Sequence, residues 1–204
     1  MPPTSAPTRL TDRKRVAILD AAVAEFRASG YEATSMDRIA ASAGVSKRTV
    51  YNHFPSKEAL FVRILEDMMS HGGDELDVPY RPDAPLRPQL MTLVQRKLQL
   101  LRDPQFTDLA RVAIAAGLHH PALAREMIES LDQREEGLTT WIRAAAADGR
   151  LRAPDPAFAA MQLHALVKGF AFWPQIAMGQ PPLTAAGQDT VASAAVDMFL
   201  AYYG

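Results

Sequence analysis

An all-α fold of about nine helices is what this sequence predicts, on three observations. Apolar residues recur three or four positions apart along most of the 204 residues, the period of a helix buried on one face. No convincing segment alternates apolar and polar residues as a half-buried strand would. Gly, Asp-Pro and Pro-Pro signals interrupt the pattern where helices should stop and start. They divide the chain into an arm (1–11), a three-helix domain (12–55), a connecting helix (56–70), a Gly/Pro/Asp-rich linker (71–88) and a larger helical domain (89–204).

The first helix is expected from about Asp12 to Ser29, with Val16, Leu19, Val23 and Phe26 as its apolar stripe. Gly30 closes it. Thr34 to Lys57 then reads as two short helices joined by a tight turn. Met36, Ile39, Ala40 and Ala43 share a face, Gly44 supplies the positive backbone angle that ends the helix, and Val45 plugs the turn. Ser46 is the natural N-cap of a second helix over Lys47–Phe54, stopped by Pro55. This is a helix-turn-helix, whose second helix enters a DNA major groove.

Side-chain chemistry on that second helix supports the reading. Val50 and Phe54 share the buried face, which leaves Lys47, Arg48, Thr49, Tyr51, Asn52 and His53, all hydrogen-bond donors. From Arg38 to Lys57 there are four basic residues and no Asp or Glu. A face meeting phosphates should exclude carboxylates, which oppose counterion release. The competing reading is a helix that is polar only because it is solvated.

The run GVSKRTVYNHFPSKEAL, Gly44 to Leu60, closely resembles the TetR/AcrR family of transcriptional regulators, as does AILDAAVAEFRASGYEATSMDRIAASA before it. The likeness covers roughly residues 12–70, and beyond it only the helical organisation is similar. The resemblance implies a homodimeric, ligand-responsive repressor. It also implies that a hydroxyl of Thr34 or Ser35 approaches a phosphate.

Net charge is -1, from 22 Lys/Arg against 23 Asp/Glu, so bulk charge does not announce a nucleic-acid binder. The distribution is uneven: residues 9–72 carry ten basic against eight acidic residues, and 73–204 carry twelve against fifteen. The absence of cysteine excludes disulfides, thiolate metal sites and thiol nucleophiles, and is compatible with a cytoplasmic protein. No apolar run approaches the roughly 20 residues of a membrane span, and MPPTSAPTRL lacks an apolar signal core. It reads as a disordered arm, although Arg9, Arg13, Lys14 and Arg15 could bring it to the DNA backbone or minor groove.

The connecting helix begins with Ser56 as N-cap and carries Leu60, Phe61, Ile64, Leu65 and Met68 inward. Lys57 lies in its first turn, the unfavourable end for a cation, where a phosphate would neutralise it. Gly72-Gly73 reads as a helix end. A fifth helix follows through Leu90, Leu93, Val94, Leu98 and Leu101, and a sixth opens at Asp103-Pro104 with Phe106, Leu109, Val112 and Ala113. The seventh runs from Pro121 to Gly149, and the eighth from Asp155-Pro156 through Phe158, Met161, Ala165 and Phe170, kinked or split at Pro174. Thr184 caps a ninth, in which Val191, Ala194, Ala195, Met198 and Tyr202 recur.

Those last two helices are the expected homodimer interface, against the alternative that their apolar faces close the monomer's own core. Met127, Trp141, Met161, His164, Phe170 and Trp173 are candidate contacts for a small, largely apolar effector, and ordinary core packing accounts for the same residues. His119 and His120, adjacent on a helix, cannot simply chelate one ion, and no metal, cofactor or enzyme motif is present. The sequence thus predicts a non-enzymatic regulator of double-stranded DNA with a palindromic operator. Lys47, Arg48, Thr49 and Asn52 are assigned to base edges; Tyr51, His53, Lys57, Thr34 and Ser35 to the backbone. A DNA-binding dimer without an effector and a helical small-molecule carrier are the alternatives.

Overall fold

A computed structural model describes residues 10–76, 78–132 and 137–204. Their regular structure is helical, in eleven elements: α1 (Leu10–Ala33), α2 (Met36–Ser42), α3 (Lys47–His53), α4 (Lys57–Leu76), α5 (Leu86–Leu100), α6 (Pro104–His119), α7 (Pro121–Asp132), α8 (Gly137–Ala147), α9 (Pro156–Ala171), α10 (Trp173–Met178) and α11 (Ala185–Tyr203). The expected arm falls largely outside the described residues. Two compact units emerge, Met1–Asp67 with Arg111–Leu131, and Met68–Ala110 with Asp132–Gly204.

Local rules account for most helix ends. Gly30, at φ 76, breaks α1 where the sequence places its end. Ser46, Asp155 and Thr184 each cap a helix by accepting a backbone N–H three residues on, at 3.1, 3.0 and 3.2 Å. The helix count exceeds nine for two reasons. The expected seventh helix is represented by α7 and α8, on either side of residues 133–136, which lie outside the described set. The eighth splits at Phe172, with Pro174 in the first turn of α10, as proline requires. The linker is shorter than expected, because α4 continues through Gly72-Gly73 to Leu76.

In the N-terminal unit the core joins Ile18, Ala22 and Phe26 of α1 to Ile39, Val50, Leu60, Phe61 and Ile64. Phe26, Tyr31 and Phe61 form an aromatic cluster, Phe61 lying 4.9 Å from Phe26 and 5.0 Å from Tyr31. The buried stripe of α1 is therefore Ile18–Ala22–Phe26, not the expected Val16–Leu19–Val23–Phe26, and Val16 is 54% exposed. Small Ala21 and Ala22 let the other helices approach closely where Val and Leu would hold them off.

In the second unit α5, α8, α9 and α11 pack around Leu90, Leu93, Leu98, Trp141, Ile142, Leu163, Val167, Val196 and Phe199. Here too the alanines turn inward. Ala159 and Ala160 of α9 and Ala192 and Ala195 of α11 are buried, whereas Phe158, Met161, Phe170, Met198 and Tyr202 face outward. Polar clasps tie the elements together. Arg87 grips Asp197 bidentately at 2.8 and 3.2 Å, and buried Gln89 accepts from Trp141 Nε1 at 3.3 Å while donating to the carbonyls of Arg81, Ala84 and Pro85. Among the described residues no helix is long and apolar enough to cross a membrane.

Candidate nucleic-acid interface

The turn between α2 and α3 sets the geometry of the site. Gly44 takes φ 65, and the N–H of Val45 returns to the Ala40 carbonyl at 3.0 Å, a Schellman closure that aims the chain at Ser46. Val50 and Phe54 then anchor α3 in the core. Lys47, Arg48, Tyr51 and Asn52 are left exposed, with Thr49 and His53 partly so. Among the described residues Arg48 and Asn52 engage no other side chain, so their donors are available to base edges.

The other candidates are more constrained. Thr49 shares a 2.8 Å hydroxyl contact with Ser46, which holds its side chain at the start of α3. Lys47 pairs with Asp37 at 2.8 Å, and that hydrogen bond raises its pKa. Asp37 lies one residue before the acid-free window read from the sequence, so this carboxylate beside the reader was missed. The pair is exposed and adds little stability; its effect is to place a negative charge at the N-terminal end of α3. An Asp37→Ala variant is expected to bind unrelated duplexes more tightly and to steepen the salt dependence by up to about one unit of slope per chain. Weaker binding in a filter or anisotropy titration would show instead that Asp37 holds Lys47 in its reading position.

Thr34 and Lys57 are placed differently from the sequence expectation. Thr34 is 2% exposed, and its hydroxyl donates inward, lying 2.8 Å from the Gly30 carbonyl and 3.1 Å from that of Glu25. Those carbonyls lie at and before the Gly30 kink of α1, so the buried Thr34 hydroxyl braces the kink from inside and does not face phosphate. Ser35 remains exposed but is occupied as the N-cap of α2, accepting from Arg38 N at 3.3 Å. Lys57 Nζ donates to the carbonyls of Tyr31 at 2.8 Å and Thr34 at 3.2 Å, and lies 4.2 Å from the centre of the Tyr31 ring. The cation in the first turn of α4 is thus explained from inside the protein. Two of its three protons clamp the α1–α2 joint, which leaves one for an outward partner.

Tyr31 completes the clamp. Its hydroxyl donates to Glu58 at 2.9 Å; burial first, and that carboxylate second, push its pKa well up, so it remains a donor. Glu58 is held below the usual carboxylate range by its own backbone N–H and by Tyr31. His120, at the α6–α7 joint, contacts the edge of Tyr31 and hydrogen-bonds Glu32. None of these cross-helix partnerships has a sequence signal, because each joins residues far apart in the chain.

Beside the end of α3 lies an open cleft of about 290 Å³ lined by Arg15, His53, Phe54, Val62, Arg63 and Glu126. It is a solvent-facing groove, unlike an enclosed effector cavity. Of the effector candidates, Met127 belongs to the N-terminal unit, half-buried. Trp141 is 1% exposed and hydrogen-bonded in the core, and His164 is half-buried on α9. Met161 and Phe170 are exposed because α9 turns its alanine face to the core, and Trp173 at the start of α10 is exposed as well, so the three lie on the surface and not on the wall of a cavity.

A braced three-helix reader with an exposed donor-rich helix defines a helix-turn-helix DNA-binding protein. Residues 18–64 match the model of the tetR family of bacterial regulatory proteins, and residues 88–204 match the AefR-like transcriptional repressor C-terminal domain. The regulator RutR of Escherichia coli K12 is 30% identical over 179 residues, covering 85% of this chain and 81% of RutR. Among solved structures, a TetR-family transcriptional regulator from Pseudomonas syringae pv. tomato is 50% identical with a TM-score of 0.80, covering 95% of this chain and 98% of that one. The flavonoid-responsive regulator FrrA is 31% identical with a TM-score of 0.76, covering 93% and 96%. The chain belongs to the TetR family and is a DNA-binding transcriptional regulator, not an enzyme.

Proposed function

We propose that the protein is a cytoplasmic, homodimeric repressor that binds a palindromic operator through α3 of each subunit and is released by a small, largely apolar effector. The observation that carries this reading is the outer face of α3, where Arg48 and Asn52 stand exposed and unengaged beside exposed Tyr51. Arg48 would select guanine through O6 and N7, and Asn52 adenine. Lys47 reads beside them once released from Asp37, while Tyr51, His53, Ser35 and the third proton of Lys57 hold the backbone.

Dimerisation is supported by the two packed helices α9 and α11, which carry Phe158, Met161, Met198 and Tyr202 outward. Large exposed apolar side chains on adjacent helices are characteristic of an unfilled interface. Two-fold pairing would supply two recognition helices for successive major grooves, roughly 34–36 Å apart. The match to a repressor C-terminal domain supports the sign of the output. The likeness to a flavonoid-responsive regulator supports an aromatic, apolar effector. Such an effector releases DNA only if it binds the non-binding conformation more tightly.

A selected duplex titrated with protein across a panel of apolar aromatic compounds tests the reading, with release by at least one compound expected. Uniform indifference would favour a dimeric DNA-binding protein without an effector. An Arg48→Ala variant should lose about 1–3 kcal/mol at particular base positions only. An equal loss on every duplex would move Arg48 to the backbone class.

A further inference from the structure

The core-facing side of α1 changes character at its beginning. Positions 11, 14, 15, 18 and 22 share that side at helical spacing. Ile18 and Ala22 are fully buried, but Thr11 and Lys14 are exposed and Arg15 is half-buried. The first turns of α1 therefore overhang the core they would otherwise pack on, and carry two cations where apolar residues would be expected. Arg15 is fixed there by Phe54, its guanidinium carbon 5.1 Å from the ring centre. Phe54 caps the end of α3, next to His53. Lys14 has no partner among the described residues.

We propose that Lys14 and Arg15 form a ledge at the end of the recognition helix that contacts backbone phosphates flanking the bases read by α3. The proposal rests on α3 as the reader and adds a second element to the interface. When a recognition helix lies in the major groove, its end is close to the groove wall, where phosphates are the available partners. Arg15 presents its guanidinium edge there while its face stays on Phe54, and Lys14 acts as a point charge beside it. These contacts carry no base information, so they fix register and strengthen binding to every sequence alike.

The test uses the full chain and a duplex recovered by selection from random sequence, with affinity measured over a salt series. The double variant Lys14→Ala/Arg15→Gln should lower the salt slope by about 1.8 per chain, that is, two phosphates at about 0.9 each. It should weaken selected and unrelated duplexes in the same proportion. Lys14→Ala alone, at an exposed position, should lower the slope by about 0.9 with an unchanged thermal midpoint, and it decides the question if the double variant folds poorly. Arg152→Ala, at an exposed cation of the second unit, is the control. It lies outside the three-helix reader, and wild-type slope is expected. An unchanged slope in the Lys14 variants, or an equal drop in Arg152→Ala, overturns the ledge while the α3 reading stands. A wild-type chain that binds no duplex at low salt overturns both.

Discussion

Met198→Glu is expected to leave the chain folded but monomeric, and to weaken operator binding by about 10²–10⁴-fold. Met198 is 59% exposed on α11, turned away from the buried Ala195, Val196 and Phe199. A carboxylate there stays hydrated in a single chain and is tolerated. In a dry helical interface it becomes an unpaired buried charge, which dimerisation cannot offset. Losing the second reader removes the effective-concentration gain of paired half-sites, the source of the expected factor. Sedimentation velocity together with an operator titration checks the prediction. A dimer of unchanged stability would transfer the interface to another face and leave the exposed Met161 and Tyr202 unexplained.

Lys57→Met is expected to destabilise the N-terminal unit by about 2–4 kcal/mol, since it removes two hydrogen bonds from a charged donor at a half-buried site. Met keeps the length and apolar stem of Lys, so the loss isolates the ammonium. The carbonyls of Tyr31 and Thr34 lose their shared donor, and the α1–α2 joint that aims the reader loosens. Urea unfolding followed through the tyrosine signal measures the cost. DNA binding by the folded fraction should lose about one unit of salt slope if the third proton meets a phosphate. Unfolding within 0.5 kcal/mol of wild type, on the order of a surface substitution, would mean that the carbonyls are rehydrated and the clamp is idle.

Legibility followed the range of the interactions. Ser46, Asp155 and Thr184 were readable as caps, and Gly30 and Gly44 as helix ends, because each depends on a few neighbouring residues. Packing direction was less readable. In α1, α9 and α11 the buried face is built on alanine (Ala22, Ala159, Ala160, Ala192, Ala195), while Val16, Met161, Met198 and Tyr202 point outward. Weighting large apolar residues as core therefore chose the wrong face of α1, and the α11 residues expected at a dimer interface divide between buried Ala195 and exposed Met198 and Tyr202. The same weighting put Met161, Phe170 and Trp173 in an effector pocket, although all three lie on the surface.

The recognition helix was legible in composition but not in its partnerships. That Lys47, Arg48, Tyr51 and Asn52 would be exposed follows from Val50 and Phe54 pointing inward. That Asp37 would hold Lys47, or that Thr34 would turn its hydroxyl to Gly30 and Glu25, depends on how helices cross. Lys57 shows the difference most plainly. A cation at the wrong end of a helix was correctly recognised as an anomaly, and the carbonyls of Tyr31 and Thr34 supply most of its resolution.

The central claim is that α3 reads a two-fold-symmetric operator, and selection of random duplexes by the purified chain tests it most directly. The expected result is an inverted repeat with half-site centres about one helical turn apart, enriched in guanine and adenine at the positions facing Arg48 and Asn52. Recovery of a single unrepeated half-site, or no enrichment at low salt, would contradict it.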